Sequence, residues 1–268
     1  IGHLALQKLS PMDVQQWLNT LAGEGLAAGS IVRLHAILRS ALEDAVNQRI
    51  IPWNPAVGVR LPSVSKISVA KVLTPEQVER ALEASRGGRL HLPVLLAVSL
   101  ALRPGECLGL QWDDIDLDEG YLTVRRSVTS VVGDSAIVKA PKDGEERVLP
   151  LPDRLWRVLA RGHAHRDCEW VCVDGAGQMV RPAYISHAWP KLLKAADLPH
   201  CRFYDLRHTC ASWLTADGVP LSVVQMILGH SSIKTTVRYT HVDLLVMREA
   251  LKNVGARLQG GGDVIEIF

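Results

Sequence analysis

The chain has 268 residues, 47% of them hydrophobic and 5% aromatic, with a formal net charge of +2 and a pI near 8.3. That length supports one large domain or two smaller ones with a substantial core. The near-even charge balance excludes a uniformly basic coat but leaves room for a local basic groove, and no apolar run is long enough to span a membrane.

The chain opens at Ile1 with neither a charged n-region nor an apolar h-region, which reads as no signal peptide. The missing methionine suggests a fragment or a processed chain. The first helix is predicted from "LSPMD": Ser10 caps, Pro11 takes the first helical position and Asp13 sits in the first turn, with the helix running to about Leu21. "GEGLAAGS" breaks it, and Ser30 is the expected cap of a second helix. There Ile31, Leu34, Ile37, Leu38, Leu42, Ala45 and Val46 form one apolar stripe. Three prolines in "IIPWNPAVGVRLP" end this region. A domain boundary is placed there, giving a helical domain over 1–62, a linker over 63–72 and a second domain over 73–258.

The second domain opens on "TPEQ", a capping box with Thr74 and Gln77, and a helix over about 75–86. A strongly apolar helix follows, interrupted near Arg103-Pro104-Gly105. The segments 121–128, 135–140 and 146–151 then favour alternation and β-branched residues, which predicts a three-stranded antiparallel sheet. Helices are predicted over about 153–162, 182–195, 203–216, 221–228, 232–240 and 242–257. The chain is thus mainly α with a small antiparallel β-sheet. Its last ten residues, 259–268, are a glycine hinge and a tip in which Val264, Ile265, Ile267 and Phe268 are too apolar for a solvated end. Folding back on its own domain and docking on a neighbouring subunit both fit that tip.

The five cysteines fit a reducing cytoplasm better than a disulfide framework. His163, His165, Cys168 and Cys172 include zinc-binding types. Trp170–Val173, however, reads as a buried strand that turns Cys172 inward, so a plain helix-to-strand connection is preferred. Asp113, Asp114, Asp116 and Asp118 share one loop, and a solvated turn explains them better than the carboxylate set of a metal-dependent transposase.

Four further features could carry chemistry. Arg103 ends an apolar helix with Glu106 three residues on. Arg207 and His208 lie in "FYDLRHTCASWL", Lys142 lies at a hairpin tip, and His230 and Tyr239 lie in "GHSSIKTTVRYTH". Each alone has a structural explanation. Together they fit phosphoryl transfer: two arginines fork onto a phosphodiester, a lysine protonates the leaving oxygen, a histidine donates to the phosphate and a tyrosine attacks phosphorus.

The stretches "LALRPGECLGLQWDDIDL", "APKDGEERVLPLP" and "YDLRHTCASWLTADGVPLSVVQMILGHSSIKTTVRYTH", in that order, resemble the tyrosine recombinase (phage integrase) family. The most specific element is "LGHSS" with Tyr239 nine residues past His230. The resemblance implies a two-domain clamp on double-stranded DNA, a helical core-binding domain and an α+β catalytic domain, with no metal and no cofactor. It implies Arg103 and Arg207 as the catalytic arginines, Glu106 as the acidic residue after the first, and Lys142 as the hairpin lysine. His230 becomes the phosphate contact and Tyr239 the nucleophile that forms a 3′-phosphotyrosine. His208 becomes a residue behind the site. The family usually has His three residues before the second arginine, where this chain has Tyr204, a phenol that can bond a phosphate oxygen but accepts a proton poorly near neutral pH. The resemblance further implies a site-specific recombinase or integrase of a phage or mobile element, acting through a Holliday junction in the bacterial cytoplasm. It implies a homo-tetramer on DNA, compatible with a monomer when free, and allows for DNA-bending or directionality factors. The tip at 264–268 is then a candidate for docking on a neighbouring protomer. A type IB topoisomerase and a non-catalytic DNA-binding accessory protein are the alternatives.

Overall fold

The computed structural model describes residues 1–63, 71–132, 135–139, 146–229 and 241–258. The chain divides into two compact units, Ile1–Val69 and Ala70–Phe268.

In the first unit a short 3-10 turn precedes α1 (Pro11–Gly23) and α2 (Ala28–Asn47). The Ser10 hydroxyl accepts the Asp13 amide while the Asp13 carboxylate accepts the Ser10 amide, a reciprocal cap that starts α1 where the sequence predicts. The start of α2 differs. The helix begins two residues before Ser30, behind an uncapped Ala27, because alanine is the best helix former and carries the coil in from upstream. Its buried stripe is Ile31, His35, Leu42 and Ala45, and Ile37, expected inside, is exposed. The three- and four-residue spacing from Ile31 reaches His35, and the backbone carbonyl of Ala56 satisfies that ring at 2.9 Å. The segment after α2 folds back over both helices. Ile51 and Ala56 enter the core, and Asn54 Nδ2 donates to the Glu43 carboxylate at 2.7 Å and the Arg39 carbonyl at 2.9 Å.

The second unit is built around α4 (His91–Leu100), every residue of which is buried. A helix apolar on all sides must be wrapped. α4 packs against α3 (Pro75–Ser85), α5 (Pro104–Leu108), α6 (Asp153–Ala164), α8 (Asp205–Ala216) and α10 (His241–Arg257). α3 begins on the predicted Thr74–Gln77 capping box. α7 (Pro182–Ala195) and α9 (Leu221–Leu228) complete the helices named here.

The strands differ from expectation in arrangement. The stretch 121–128 is two strands, β2 (Tyr121–Val124) and β3 (Ser127–Val132), in two sheets. β2 lies between β1 (Ile115–Asp116) and β5 (Arg147–Pro150), antiparallel to both, whereas β3 forms a hairpin with β4 (Ser135–Lys139). The break falls at Arg125 and Arg126, which reach the same buried carboxylate, Asp114, at 3.3 and 2.9 Å. Asp114 is therefore not part of a solvated turn; it is an internal anchor that turns the chain from one sheet into the other. Asp116 does serve the loop, accepting the amides of Asp118 and Glu119.

Around Cys168 and Cys172 the expected strand is reduced to two isolated bridges, Gln111 with Trp170 and Val173 with Met179. Cys172 is buried, and burial pushes its thiol well above the usual range. Arg166 donates to His163 Nδ1 at 2.8 Å, and His165 Nδ1 lies 2.9 Å from the Arg161 carbonyl. Among the described residues no three His, Cys, Asp or Glu side chains are grouped to hold a metal, and no helix is long and apolar enough to cross a membrane.

Candidate active site

The path to the site starts where α4 ends. Ala101 adopts a left-handed conformation with φ of 53°, and the chain then restarts as α5 with Arg103 at its N-cap. Pro104 at the first helical position and Glu106 at the third close the turn back on Arg103. The Arg103 amide donates to Glu106 Oε2 at 2.9 Å, and its Nη1 donates to Oε1 at 2.7 Å. The break thus lies slightly before the predicted proline, and it delivers Arg103 together with its carboxylate. Gly105 is required there. A side chain would collide with the Val128 carbonyl and the Ser127 hydroxyl, where α5 lies on β3.

Arg207, on α8, is 1% exposed. Its Nη1 donates to the Ala101 carbonyl at 2.7 Å and its Nη2 to the Leu228 carbonyl. Arg103 Nη2 donates to the next carbonyl along, that of Gly229, at 3.3 Å. Two arginines far apart in sequence therefore meet on consecutive carbonyls at the end of α9. That end is turned by Gly229 in the left-handed region, φ 62°. The guanidinium of Arg207 is held down to about 10, first by burial and then by the positive charges of Arg103 and Arg147, so it remains a cation at neutral pH.

Arg147 was not singled out in the sequence, although it stands in the quoted "ERVLPL". It is 2% exposed on β5 and forks onto Glu106, Nη1 to Oε1 at 3.1 Å and Nη2 to Oε2 at 2.5 Å. The Glu106 carboxyl is itself buried. Burial alone would raise its pKa, but Arg147 and then Arg103 outweigh burial and hold it at about 2. The signal was legible in principle. Two-residue alternation puts Arg147 on the inner face of β5 with Leu149, and a charge on an inner face needs a partner.

Tyr204 precedes α8, and its carbonyl accepts the Arg207 amide at 3.1 Å. Its ring meets that of His208 edge-on, with centroids 5.2 Å apart. His208 thus stands beside Tyr204, one turn along, and both rings are half-buried beside the fully buried Arg207. Asp205, buried at the start of the same helix, takes the Arg202 amide and guanidinium, each at 2.8 Å.

Lys142, His230 and Tyr239 lie outside the described residues, as does the tip at 259–268. The chain on either side of His230–Thr240 is anchored to the same unit. Gly229 is fixed as above, and α10 buries Met247, Ala250, Leu251 and Val254. The Arg248 guanidinium lies 4.9 Å from the Tyr121 ring centre and donates to the Glu119 carbonyl, while Arg154 holds the Leu258 carbonyl.

Arg103 and Arg147 share the buried Glu106 carboxylate, and Arg207 joins Arg103 at the end of α9, so three guanidinium groups, the donor type that forks onto oxyanions, are gathered in one place. The phage integrase family matches residues 71–244. The chain belongs to that family and is a tyrosine recombinase, an enzyme that breaks and rejoins DNA. A XerC-like tyrosine recombinase of Caldanaerobacter subterraneus subsp. tengcongensis is 29% identical over 265 residues, covering 87% of this chain and 68% of that protein. A candidate prophage phiRv2 integrase of Mycobacterium tuberculosis is 27% identical over 246 residues, covering 88% of this chain and 64% of its own length. In fold, the Tn1549 transposon integrase (residues 82–397) in complex with circular intermediate DNA superimposes with a TM-score of 0.74 at 20% identity, covering 90% of this chain and 85% of that one.

Proposed function

We propose that this tyrosine recombinase binds double-stranded DNA with both units and cuts it by attack of Tyr239 on a phosphodiester held by Arg103 and Arg207. The observation that carries the reading is the meeting of those two guanidinium groups on the Leu228 and Gly229 carbonyls, immediately before the chain enters His230. In the step proposed, the Tyr239 oxygen bonds to phosphorus and the bond to the 5′ oxygen breaks. Lys142 gives a proton to the leaving 5′ oxygen, and the phenol proton passes to water or another neighbouring group. His230 and Tyr204 bond the non-bridging oxygens, and the arginines neutralise the charge that builds on them. The linkage exchanged is a phosphodiester for a phosphotyrosine of similar energy, so religation needs no nucleotide.

The likeness to a prophage integrase supports a role in moving a phage or other mobile element, in the cytoplasm and with four protomers on paired sites. Affinity comes largely from phosphate contacts and falls steeply with salt. The test is covalent trapping on a nicked suicide substrate carrying candidate attachment sites. Wild type is expected to form a protein–DNA adduct that maps to Tyr239, and Tyr239→Phe to form none while still binding. An adduct formed by Tyr239→Phe, or binding of these sites by wild type with no adduct, would overturn the reading in favour of a non-catalytic DNA-binding protein. Plasmid relaxation without exchange between two sites would indicate a topoisomerase.

A further inference from the structure

We propose that Arg147 is a positioning residue for Arg103: from β5 it clamps the Glu106 carboxylate and lies against Gly229, two of the groups that hold the Arg103 guanidinium, and so fixes the direction in which Arg103 meets a phosphate. The proposal rests on the reading of Arg103 as a phosphate-binding group.

Three observations lead to it. Arg147 meets both oxygens of Glu106, and Arg103 meets the same two oxygens through its amide and its Nη1. The carboxylate is thus held from two separate elements and cannot turn about its own stem without losing a bond. Arg147 also lies flush against Gly229, where a Cβ would stand 3.0 Å from its Cδ and 3.1 Å from its Nη1. Gly229 is the residue whose carbonyl accepts Arg103. Finally, Arg147 Nε is buried with no hydrogen-bond partner among the described residues. A buried ion pair with an unserved N–H is a poor way to gain stability, since apolar residues of the same shape fold as well or better. Its geometry is better explained by aim. Phosphoryl transfer is sensitive to placement, and an error of about 1 Å in a positioned group costs roughly a hundredfold in rate.

The experiment compares Arg147→Met, Arg147→Lys, Glu106→Gln and the double variant Arg147→Met/Glu106→Gln with wild type. Two quantities are read: the single-turnover rate of covalent trapping, and the affinity for one half-site. Arg147→Met is expected to slow trapping about 30-fold while half-site affinity stays within about threefold, because Arg147 is itself buried. Arg147→Lys, which keeps the charge but not the fork, is expected to recover part of the rate. The double variant is expected to be no slower than the slower single variant, since both act through Arg103. A loss under about fivefold in Arg147→Met, a matching fall in affinity, or losses that multiply in the double variant would overturn the proposal. If Arg147→Met does not fold, Arg147→Lys carries the same test with an expected loss of about tenfold, and a rate within about threefold of wild type overturns it.

A second measurement is independent of cleavage. Among the described residues, the charged groups facing Glu106 are Arg103, Arg147 and Arg207. With Arg147 gone, its hydrogen bonds and charge no longer oppose burial, and Glu106 takes up a proton more readily in the native state. The melting deficit of Arg147→Met against wild type should then shrink between pH 7 and pH 3, as wild type loses the Glu106 contribution on the way down to its native pKa of about 2. If wild type gives no adduct, the reading of the site fails, yet this pH dependence still reports the clamp. A deficit that does not change with pH overturns the clamp itself.

Discussion

The two units solve the problem of buried polar groups differently. In the first, the buried polar side chains among the described residues are His35 and Asn54, with no carboxylate or guanidinium, and they reach the backbone carbonyls of Ala56 and Arg39. In the second, the buried polar side chains include Glu106, Asp114, Arg147, Asp205 and Arg207. Burying a charge is costly unless it is paired, and even a good pair seldom outperforms apolar packing. Polar burial in the first unit therefore serves the fold. In the second unit Asp114 also serves the fold, whereas Glu106, Arg147 and Arg207 gather beside the end of α9, where the proposed chemistry needs cations held in place.

The contrast can be broken most decisively at Arg207. Arg207→Ala should reduce covalent trapping by about a thousandfold, as expected for losing a positioned donor to developing charge, and should leave the Ala101 and Leu228 carbonyls without their donor. A loss smaller than about tenfold would mean that its burial is structural.

Glu106 gives the next effect, read as stability. Its native pKa of about 2 lies below the ordinary 4.5, so its contribution is complete above pH 4.5 and is lost as pH falls through 2. A shift of that size is worth on the order of 3 kcal/mol. Glu106→Gln should therefore destabilise the chain at pH 7, with the difference from wild type narrowing by pH 3 in thermal or urea unfolding. A difference that does not vary with pH would show that the carboxylate is not held charged.

The smallest effect tests the first unit. Asn54→Ala removes donors to the Arg39 carbonyl and the Glu43 carboxylate and the acceptor of the Ala56 amide. A cost of about 1–3 kcal/mol in unfolding is expected. Trapping at saturating DNA should stay within about threefold of wild type, and a larger loss would blur the division between the two kinds of burial.

Much of this was readable along the chain. Capping boxes at Ser10 and Thr74, the apolar run of α4 and the bounds of α7 and α9 follow from local rules, because a helix is made by neighbours three and four residues apart. Arg103, Glu106 and Arg207 could be named as candidates because a charge among apolar residues demands a partner. Other features depended on residues distant in sequence. The 121–128 stretch alternates as one strand, and only the buried Asp114 divides it between two sheets. Arg147 looks like an ordinary strand residue until β5 is set against α5. The convergence of Arg103 and Arg207 on adjacent carbonyls arises from the path of α9, which neither local pattern contains. The sequence by itself determined the first candidates for the chemistry and where the box-capped helices α1 and α3 begin. The tertiary structure decided which charges share a carboxylate or a helix end, because ion pairing depends on distance in space and on exclusion of water, and both are set only when the core closes.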